Sequence, residues 1–204
     1  MHTVLKGEKL SHTFYSLPTL EVARNILGKI FVRKIDNKIL AGHIVEVEAY
    51  HQDGDRASHS FRGMTARNEV MFREGGFLYV YFTYGMHFCM NIVTEEKNTG
   101  AAVLIRAIEP LAGIEIMRKN RGEKISLHNL TNGPAKCCQA FSIARNENGT
   151  DLSGKTIYIL DAPRIQDSSV GCSARIGIKE STELQWRFFI KGNAFVSRMK
   201  KQNA

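Results

Sequence analysis

Two carboxylates, Glu46 and Glu48, lie within an apolar segment that ends in Tyr50. Alternate residues of a strand face the same side, so Ile44, Glu46, Glu48 and Tyr50 are predicted to share one face. Such a face is usually solvated, because glutamate is rarely buried. A glutamate that is partly buried beside an aromatic ring can instead act as a general base. Tyr50 and the polar segment 51–68 directly after it favour that second interpretation.

His59 lies in the polar segment 51–68, which is predicted to be a long loop. Loops of this length in small domains are usually functional, although a single loop histidine is commonly a surface residue. A metal site built from Glu48, Asp53, Asp55 and His59 is conceivable, but the spacing matches no established metal motif. We therefore predict no bound metal.

Tyrosines and one amide mark the segment 77–93 as a second chemical feature. Tyr79 and Tyr81 share a strand face, and Tyr84 falls at a predicted hairpin tip. An aromatic ring at a rigid tip can wedge into a base stack, although core packing of all three rings is an equal alternative. Asn91, in the return strand, is either a structural hydrogen-bonding group or a contact to a ligand edge.

Two cationic side chains occupy positions that suit anions. Arg106 interrupts an apolar strand, where an inward charge requires an anionic partner, either a glutamate or a phosphate. Lys136 lies in the sequence NGPAK, which opens a predicted helix whose free N–H groups can bind a phosphate. The second signal is weak, since such helix starts are common.

Composition favours a globular protein with a polyanionic partner. The 204 residues include 43% hydrophobic and 24% charged residues, and the formal net charge is +8. This excess favours nucleic acid over an anionic membrane, although a cationic solubility shell is the alternative. No membrane-spanning segment or signal peptide is predicted, and four cysteines without a CxxC pair indicate reduced thiols and no zinc site. We expect a cytoplasmic or nucleoid protein, nuclear in a eukaryote, and not a secreted one.

The elements that position these residues are mostly strands in hairpins. Helices are predicted over residues 18–27, 110–121 and 132–143, on the basis of capping residues and apolar spacing. Strands are predicted over 29–34, 39–50, 77–83, 86–93, 101–108, 156–160, 174–178 and 186–190. The predicted fold class is α+β, a single mixed domain over 1–204 with a curved, largely antiparallel sheet and flanking helices. Residues 1–11 and 198–204 are expected to be frayed.

Taken in order, the chain resembles the alkyladenine DNA glycosylases, also called 3-methyladenine or methylpurine DNA glycosylases. The similarity runs from about residue 12 to residue 197 and rests on nine segments, which are ARNILGK, IVEVEAY with His59, TARN, LYVY, YGM, CMN, VLIRA with EP, NGPAK and ARIG. Each segment alone is weak, and the ordered set is specific.

The resemblance implies a role for each matching residue. Glu48 matches the general base that activates the water attacking C1′ of the sugar, and Arg106 matches a residue that contacts the target phosphate and supports the site. The implied base pocket has walls formed by Tyr50, His59 and Tyr81.

Further roles follow from the same resemblance. Asn91 matches the side chain that crowds the 2-amino group of guanine, and Ile176 packs in the pocket in place of a smaller aliphatic residue. Tyr84 matches the residue that inserts into the duplex. Arg67 and Lys136 are assigned to the DNA backbone, and His87 departs from the tyrosine of many relatives.

The implied function is base-excision repair. The enzyme would flip alkylated or deaminated purines (3-methyladenine, 7-methylguanine, hypoxanthine or ethenoadenine) out of duplex DNA and leave an abasic site. Electron-rich rings attract a cationic purine by roughly 0.5–2 kcal/mol per favourable contact. No lysine occurs in the matching site segments apart from Lys29 and Lys136, so no lyase step is expected. No cofactor is expected either, and the resemblance suggests a monomer.

Two other classes of function fit parts of the sequence. A non-catalytic nucleic-acid-binding domain would use the same basic surface, with Glu46 and Glu48 merely structural. A carbohydrate hydrolase would use Glu46 and Glu48 as an acid/base pair, since residues two apart on one strand face lie about 6–7 Å from each other. The net charge and the single tryptophan disfavour the carbohydrate enzyme.

Overall fold

Nine strands form one curled, antiparallel half-barrel in the computed structural model, which describes residues 5–83 and 85–197. The strands are β1 (Ile30–Ile35), β2 (Lys38–His51), β3 (Phe77–Thr83), β4 (His87–Val93), β5 (Ala101–Ala112), β6 (Thr150–Asp151), β7 (Ile157–Leu160), β8 (Val170–Ser173) and β9 (Arg187–Ile190). Alternating apolar residues and short turns produce the two predicted hairpins, β1–β2 and β3–β4. The predicted α+β class with an antiparallel sheet is confirmed.

The long strand β2 is the structural centre of the sheet. The strand order is β6-β3-β4-β5-β2-β1-β7, and β9 joins β2 separately while pairing with β8. One edge of β2 pairs with β5 from Ala41 to His51. The other edge pairs with β1 near the start of β2 and with β9 at Glu46–Glu48. The segment with the two carboxylates therefore has a hydrogen-bonded strand on each side, which fixes its backbone.

Four short helices flank the sheet among the described residues. They are α1 (His12–Tyr15), α2 (Thr19–Asn25), α3 (Ile114–Arg121) and α4 (Pro134–Ala140). Helix α2 buries Val22 and Ala23, and α4 buries Cys137, Cys138 and Ala140. These side chains join the main apolar core on one face of the sheet. In the described part of the chain, no helix has the length and apolar character needed to cross a membrane.

A bulge in β2 determines which residues accompany the carboxylates. Its pairing with β5 shifts register between Ile44 and Glu46 and again between Glu46 and Val47. Ile44 consequently packs in the main core with Val47, whereas Val45 belongs to a different apolar cluster. The prediction that Ile44 shares the face of Glu46 and Glu48 is wrong, because strict alternation does not hold across a bulge.

The helix predicted over residues 110–121 begins four residues later, at Ile114. Strand β5 continues to Ala112, and Pro110 pairs opposite Gly42 beside a further register shift. Proline is tolerated in a strand at such irregular positions. Gly113, with a φ of 75°, then turns the chain into the helix. Proline at this position therefore does not mark the first helical turn.

The strand predicted over residues 174–178 is also wrong, because β8 ends at Ser173 and a loop follows. Gly177 has a φ of 82°, which is incompatible with an extended strand. The side chain of Arg175 is buried against Asp55 instead of alternating with its neighbours. This loop enters the candidate site described below.

Residues 8–10 are more ordered than predicted. The Leu10 amide donates to the Ile159 carbonyl at 2.9 Å, and the Asp161 amide donates to the Glu8 carbonyl at 2.7 Å. Leu10 itself is buried. The expectation of a frayed end therefore fails for residues 8–10, whose backbone extends the sheet beside β7. Residues 1–4 and the predicted tail 198–204 lie outside the described residues.

A small polar cluster joins the start of α2, the end of β2 and the connection after β4. Glu95 Oε2 lies 3.3 Å from His51 Nε2, and Glu95 Oε1 accepts the Thr19 amide at 2.9 Å. The hydrogen bond from His51 is the main cause that lowers the pKa of Glu95 to about 2. The same hydrogen bond raises the pKa of His51 against the opposing effect of burial.

This cluster predicts a stability effect that depends on pH. The stabilisation due to Glu95 is present above its unfolded-chain pKa of 4.5 and is lost as the pH falls towards 2. The stabilisation due to His51 is present below 6.5 and is lost as the pH rises through its folded pKa. We expect Glu95→Gln to lower the free energy of unfolding by about 1 kcal/mol between these limits and by less outside them. Urea titrations at several pH values measure this, and a loss that is the same at all pH values would contradict it.

Candidate active site

A cavity of about 480 Å³ opens on the sheet face that carries the carboxylates. Side chains from four strands, from the segments before β3 and after β8, and from the start of α4 line it. They include Tyr50, His59, Tyr79, Tyr81, Cys89, Asn91, Leu104, Arg106, Pro134, Ile176 and Lys179. Six residues predicted from the sequence line this cavity, although they are separated by up to 126 positions in the chain. They are Tyr50, His59, Tyr81, Asn91, Arg106 and Ile176.

Glu48 is completely buried behind the wall of this cavity. Its Oε2 accepts the Tyr50 hydroxyl at 2.9 Å and Arg106 Nη1 at 3.1 Å. Its Oε1 accepts the backbone N–H of Ile176 at 2.7 Å. All three donor residues line the cavity, so the carboxylate lies one layer behind them. Since each carboxylate oxygen can accept two hydrogen bonds, Oε1 retains acceptor capacity for a water.

Arg106 connects the two carboxylates of β2. Its Nε donates to Glu46 Oε1 at 3.1 Å, while Nη1 binds Glu48. Burial lowers the pKa of Arg106, but the charges of Glu48 and Glu46 outweigh this effect and raise it. The guanidinium therefore stays charged, and of the two partners that the sequence allowed, it has glutamate.

Glu46 is enclosed by donors on the far side of the network. Arg187 Nε donates to it at 2.7 Å, and Ser197 donates both its amide and its hydroxyl at 2.6 Å. With Arg106, two carboxylates and two guanidiniums balance one another in a buried cluster. Like Glu48, Glu46 does not itself line the cavity, but of its three donor residues only Arg106 does. The four hydrogen bonds that Glu46 already accepts argue against the acid/base pair that a carbohydrate hydrolase would need.

Aromatic rings form one wall of the cavity. The rings of His59 and Tyr81 meet edge to face with centroids 4.5 Å apart, and Tyr79 stacks on Tyr81 at 5.6 Å. The Tyr79 hydroxyl lies 3.0 Å from His59 Nδ1, which holds the imidazole in place. Together with Tyr50, these rings suit a planar, electron-poor ligand.

The protonation states of His59 and Tyr50 in the cavity wall follow from the groups around them. Partial desolvation and the nearby charge of Arg67 lower the pKa of His59 to about 4, so the imidazole is neutral at physiological pH. Burial and the adjacent Glu48 raise the pKa of Tyr50 well above its usual value. Tyr50 therefore remains a hydroxyl donor to the carboxylate.

The polar amide of Asn91 and the side chain of Ile176 both lie at the cavity surface. Asn91 is buried, and its Nδ2 donates to the Tyr79 carbonyl at 3.2 Å. This bond fixes the amide against the aromatic wall. Of the two roles predicted for Asn91, the structural hydrogen bond is present, and its position also places it beside any ligand in the cavity.

Three predicted DNA contacts lie outside the cavity wall or outside the described residues. Arg67 is exposed near the mouth, where its Cζ lies 6.0 Å from the Tyr81 ring centroid. Lys136 is in the first turn of α4, and its Nζ donates to Asn132 Oδ1 at 2.7 Å. It does not line the cavity, although the neighbouring Pro134 does. Tyr84 is not among the described residues.

A second buried ion pair, which was not predicted from the sequence, lies beside the cavity. Arg175 donates two hydrogen bonds of 2.6 Å to Asp55, and both side chains are fully buried. The Arg175 guanidinium also lies over the Tyr50 ring, 4.5 Å from its centroid. The pair therefore holds both Tyr50 and the start of the loop that carries Ile176. No local pattern connects an aspartate and an arginine 120 positions apart.

Arg187 was not predicted to be part of the site, although the sequence contains a signal for it. It is an inward charge on a predicted strand, the same feature that identified Arg106. Lys179 also lines the cavity and was missed, because it follows the segment 174–178 that was predicted to be a strand. It lies outside the matching segments on which the expectation of no lyase step rested.

No group of three or more His, Cys, Asp or Glu side chains in the described part of the chain is placed to hold a metal ion. The set considered from the sequence is divided among other partners, because Glu48 binds Arg106 and Asp55 binds Arg175. All four cysteines are free, and Cys172 alone among them is exposed. The arrangement thus offers a buried carboxylate, aromatic walls and cationic donors as its chemical groups.

Comparison with known proteins agrees with a site that contains these chemical groups. Residues 13–194 match the model of the methylpurine-DNA glycosylase family. A protein of Chlorobium phaeovibrioides named "Putative 3-methyladenine DNA glycosylase" is 47% identical over 192 residues, which cover 94% of this chain and 97% of the relative. Proteins of the same name from Chlorobaculum parvum and Alkaliphilus oremlandii are 47% and 44% identical, over 93% of this chain and 91% and 99% of the relatives.

The buried Asp55–Arg175 pair predicts a large loss of stability when one partner is removed. We expect Arg175→Met to lower the free energy of unfolding by about 3–5 kcal/mol, because it leaves the Asp55 carboxylate buried and uncompensated. The double variant Arg175→Met with Asp55→Leu should recover part of that loss. Arg164→Met is the matched control, since Arg164 is exposed, and should change the value by less than about 0.5 kcal/mol. Urea denaturation measures all three, and equal losses for Arg175→Met and Arg164→Met would contradict the prediction.

Proposed function

The chain belongs to the methylpurine-DNA glycosylase family, and on that premise we propose that it removes alkylated or deaminated purines from duplex DNA by hydrolysing the N-glycosidic bond. The proposed substrates are 3-methyladenine, 7-methylguanine, hypoxanthine and ethenoadenine. The observation that carries the proposal is the buried Glu48, whose orientation is fixed by three donors that themselves line an aromatic cavity.

In the proposed reaction, a flipped purine occupies the cavity between the rings of Tyr50, His59 and Tyr81. Alkylation at N3 or N7 makes the purine cationic, which favours stacking against these rings and makes the base a good leaving group. A water held by Glu48 attacks C1′ of the sugar, and the carboxylate accepts its proton. The electron pair of the broken C–N bond leaves with the base. The negative charge of Glu48 also stabilises the positive charge that develops on the sugar.

Arg106 acts in this proposal through Glu48. It stays charged and binds both carboxylates, so it keeps Glu48 fixed in position. Contact with the target phosphate is a further proposed role of this guanidinium. The neutral His59 would stack on the base without repelling a cationic purine.

Other residues are proposed to deliver the base and to reject normal ones. Flipping costs a few kcal/mol and is cheapest at damaged or weakly stacked bases. Tyr84 is proposed to fill the gap in the duplex, with Arg67 and Lys136 on the backbone phosphates. Asn91 is proposed to crowd the 2-amino group of guanine, which its fixed amide at the cavity surface supports.

We further propose that the product is an abasic site with an intact strand. A lyase step requires a neutral amine, and Schiff-base lysines are usually activated by burial or by a neighbouring cation. Lys179 is the lysine at the cavity in the described part of the chain, and it is exposed and followed by Glu180. Lys179 therefore lacks the burial and the neighbouring cation that activate such lysines.

The proposal predicts that Glu48→Gln abolishes base release. We expect single-turnover release from duplexes with one hypoxanthine or one 7-methylguanine to fall at least about 100-fold, because a general base contributes that much or more. Glu46→Gln is the matched comparison on the same strand. We expect it to reduce the rate about 10-fold or less, since Glu46 supports Arg106 but, unlike Glu48, accepts no hydrogen bond from Tyr50 or Ile176 at the cavity wall.

Two outcomes would overturn parts of this proposal. If the wild type binds duplex DNA but releases no base from any of the lesions, the alternative of a non-catalytic nucleic-acid-binding domain stands. If it cleaves the strand and borohydride traps a covalent complex that Lys179→Ala abolishes, the protein has lyase activity and the abasic-product proposal fails.

A further inference from the structure

A second cavity, of about 510 Å³, adjoins the first one at its mouth. The two share His59 and Glu180 in their walls. The loop between β2 and β3 supplies most of the second wall, whose residues are Arg56, Ser58, His59, Phe61, Arg62, Gly63, Thr65, Arg67, Asn68 and Glu180. The loop therefore contributes to both spaces, with His59 at the boundary.

Three arginines give this second cavity a positive wall. Arg56, Arg62 and Arg67 are exposed, and none of them forms an ion pair within residues 5–83 and 85–197. Glu180 is the single acidic residue of the wall, which leaves an excess of two positive charges. Three guanidinium groups that share a wall with one carboxylate are suited to an anionic ligand.

Two of the guanidinium groups lie near aromatic rings. Arg56 Cζ lies 6.0 Å from the ring centroid of Phe61, and Arg67 Cζ lies 6.0 Å from that of Tyr81. The Arg67 Nη2 also donates to the Phe82 carbonyl at 3.4 Å. Side chains that are partly ordered in advance lose less conformational entropy when they bind an anion.

One buried amide fixes the second cavity relative to the first. Asn68 Oδ1 accepts the Thr65 amide at 2.6 Å, and its Nδ2 donates to the carbonyls of His59 at 2.8 Å and Gly63 at 3.1 Å. Asn68 is almost fully buried. The loop that carries the arginines is thus tied to the backbone of the histidine that forms the wall of the base cavity.

We propose that this second cavity binds the phosphodiester backbone of the strand whose base occupies the first cavity, with Arg56 and Arg62 as phosphate ligands in addition to Arg67. The inference rests on the proposed function, because the first cavity must hold a nucleotide base. A strand with one base in the first cavity continues across its mouth, where the shared wall leads into the arginine-lined space. Guanidinium N–H groups bind phosphate oxygens in a bidentate fork.

The test is the salt dependence of DNA affinity for Arg56→Gln and Arg62→Gln. The probe is a duplex with one ethenoadenine on a 2′-fluoro sugar, which keeps its base and resists hydrolysis because the fluorine disfavours positive charge at C1′. Its dissociation constant is measured by fluorescence anisotropy from 50 to 200 mM salt. Each lost phosphate contact reduces the slope of log affinity against log salt by about 0.9, which corresponds to about 3.5-fold over this fourfold range. Arg164→Gln removes the same charge from an exposed arginine after β7, at the opposite end of the sheet from β3.

We expect the slope to fall by about 0.9 for Arg56→Gln and for Arg62→Gln and to stay unchanged for Arg164→Gln. Slopes equal to that of the wild type in both cavity variants would overturn the inference, as would an equal fall in Arg164→Gln, which would indicate a general charge effect. Base release by the wild type, measured separately, tests the proposed function. A protein that releases base with unchanged slopes in the variants would retain the function and refute this site.

Discussion

The buried ion network of Glu46, Glu48, Arg106 and Arg187 is the constraint on which the rest of the structure depends. Burying an isolated carboxylate costs several kcal/mol, and only matched cations and further hydrogen bonds offset this cost. The protein meets the requirement with strands on both edges of β2, so that every charge has a partner at a fixed place. Residue Ser197, far away in the chain, completes the set by donating twice to Glu46.

The network links the fold to the cavity through the three residues that donate hydrogen bonds to Glu48. Tyr50, Arg106 and Ile176 each donate to the carboxylate and each line the cavity. Arg175 adds a second layer, since it stacks on Tyr50 and precedes Ile176 in the loop. Such support from packed and bonded neighbours keeps a reactive group within the narrow geometry that catalysis requires. The aromatic wall supplies binding, and the network supplies an oriented carboxylate.

Much of the sheet could be predicted from the sequence, because hairpin turns and alternating apolar residues are local signals. The convergence of Tyr50, His59, Tyr81, Asn91 and Arg106 on one cavity was expected from a resemblance to a family, since spacing alone left alternatives open. The failures have non-local causes. The bulge that turns Ile44 into the core depends on pairing with β5, and the loop 174–178 depends on an ion pair across 120 positions. Lys136, which was assigned to the DNA backbone, lies off the cavity wall, and its assignment stays a prediction.

The central claim is that Glu48 and Arg106 act as one unit, and a double-mutant cycle on single-turnover base release tests it most directly. The rates of Glu48→Gln, Arg106→Gln and the double variant are compared with that of the wild type on a hypoxanthine duplex at saturating protein. If Arg106 works through the Glu48 carboxylate, the double variant will be no slower than Glu48→Gln alone, because residues that act as a unit are strongly non-additive. If the two losses multiply, Arg106 contributes independently of Glu48, and the account of a carboxylate positioned by its guanidinium partner is wrong.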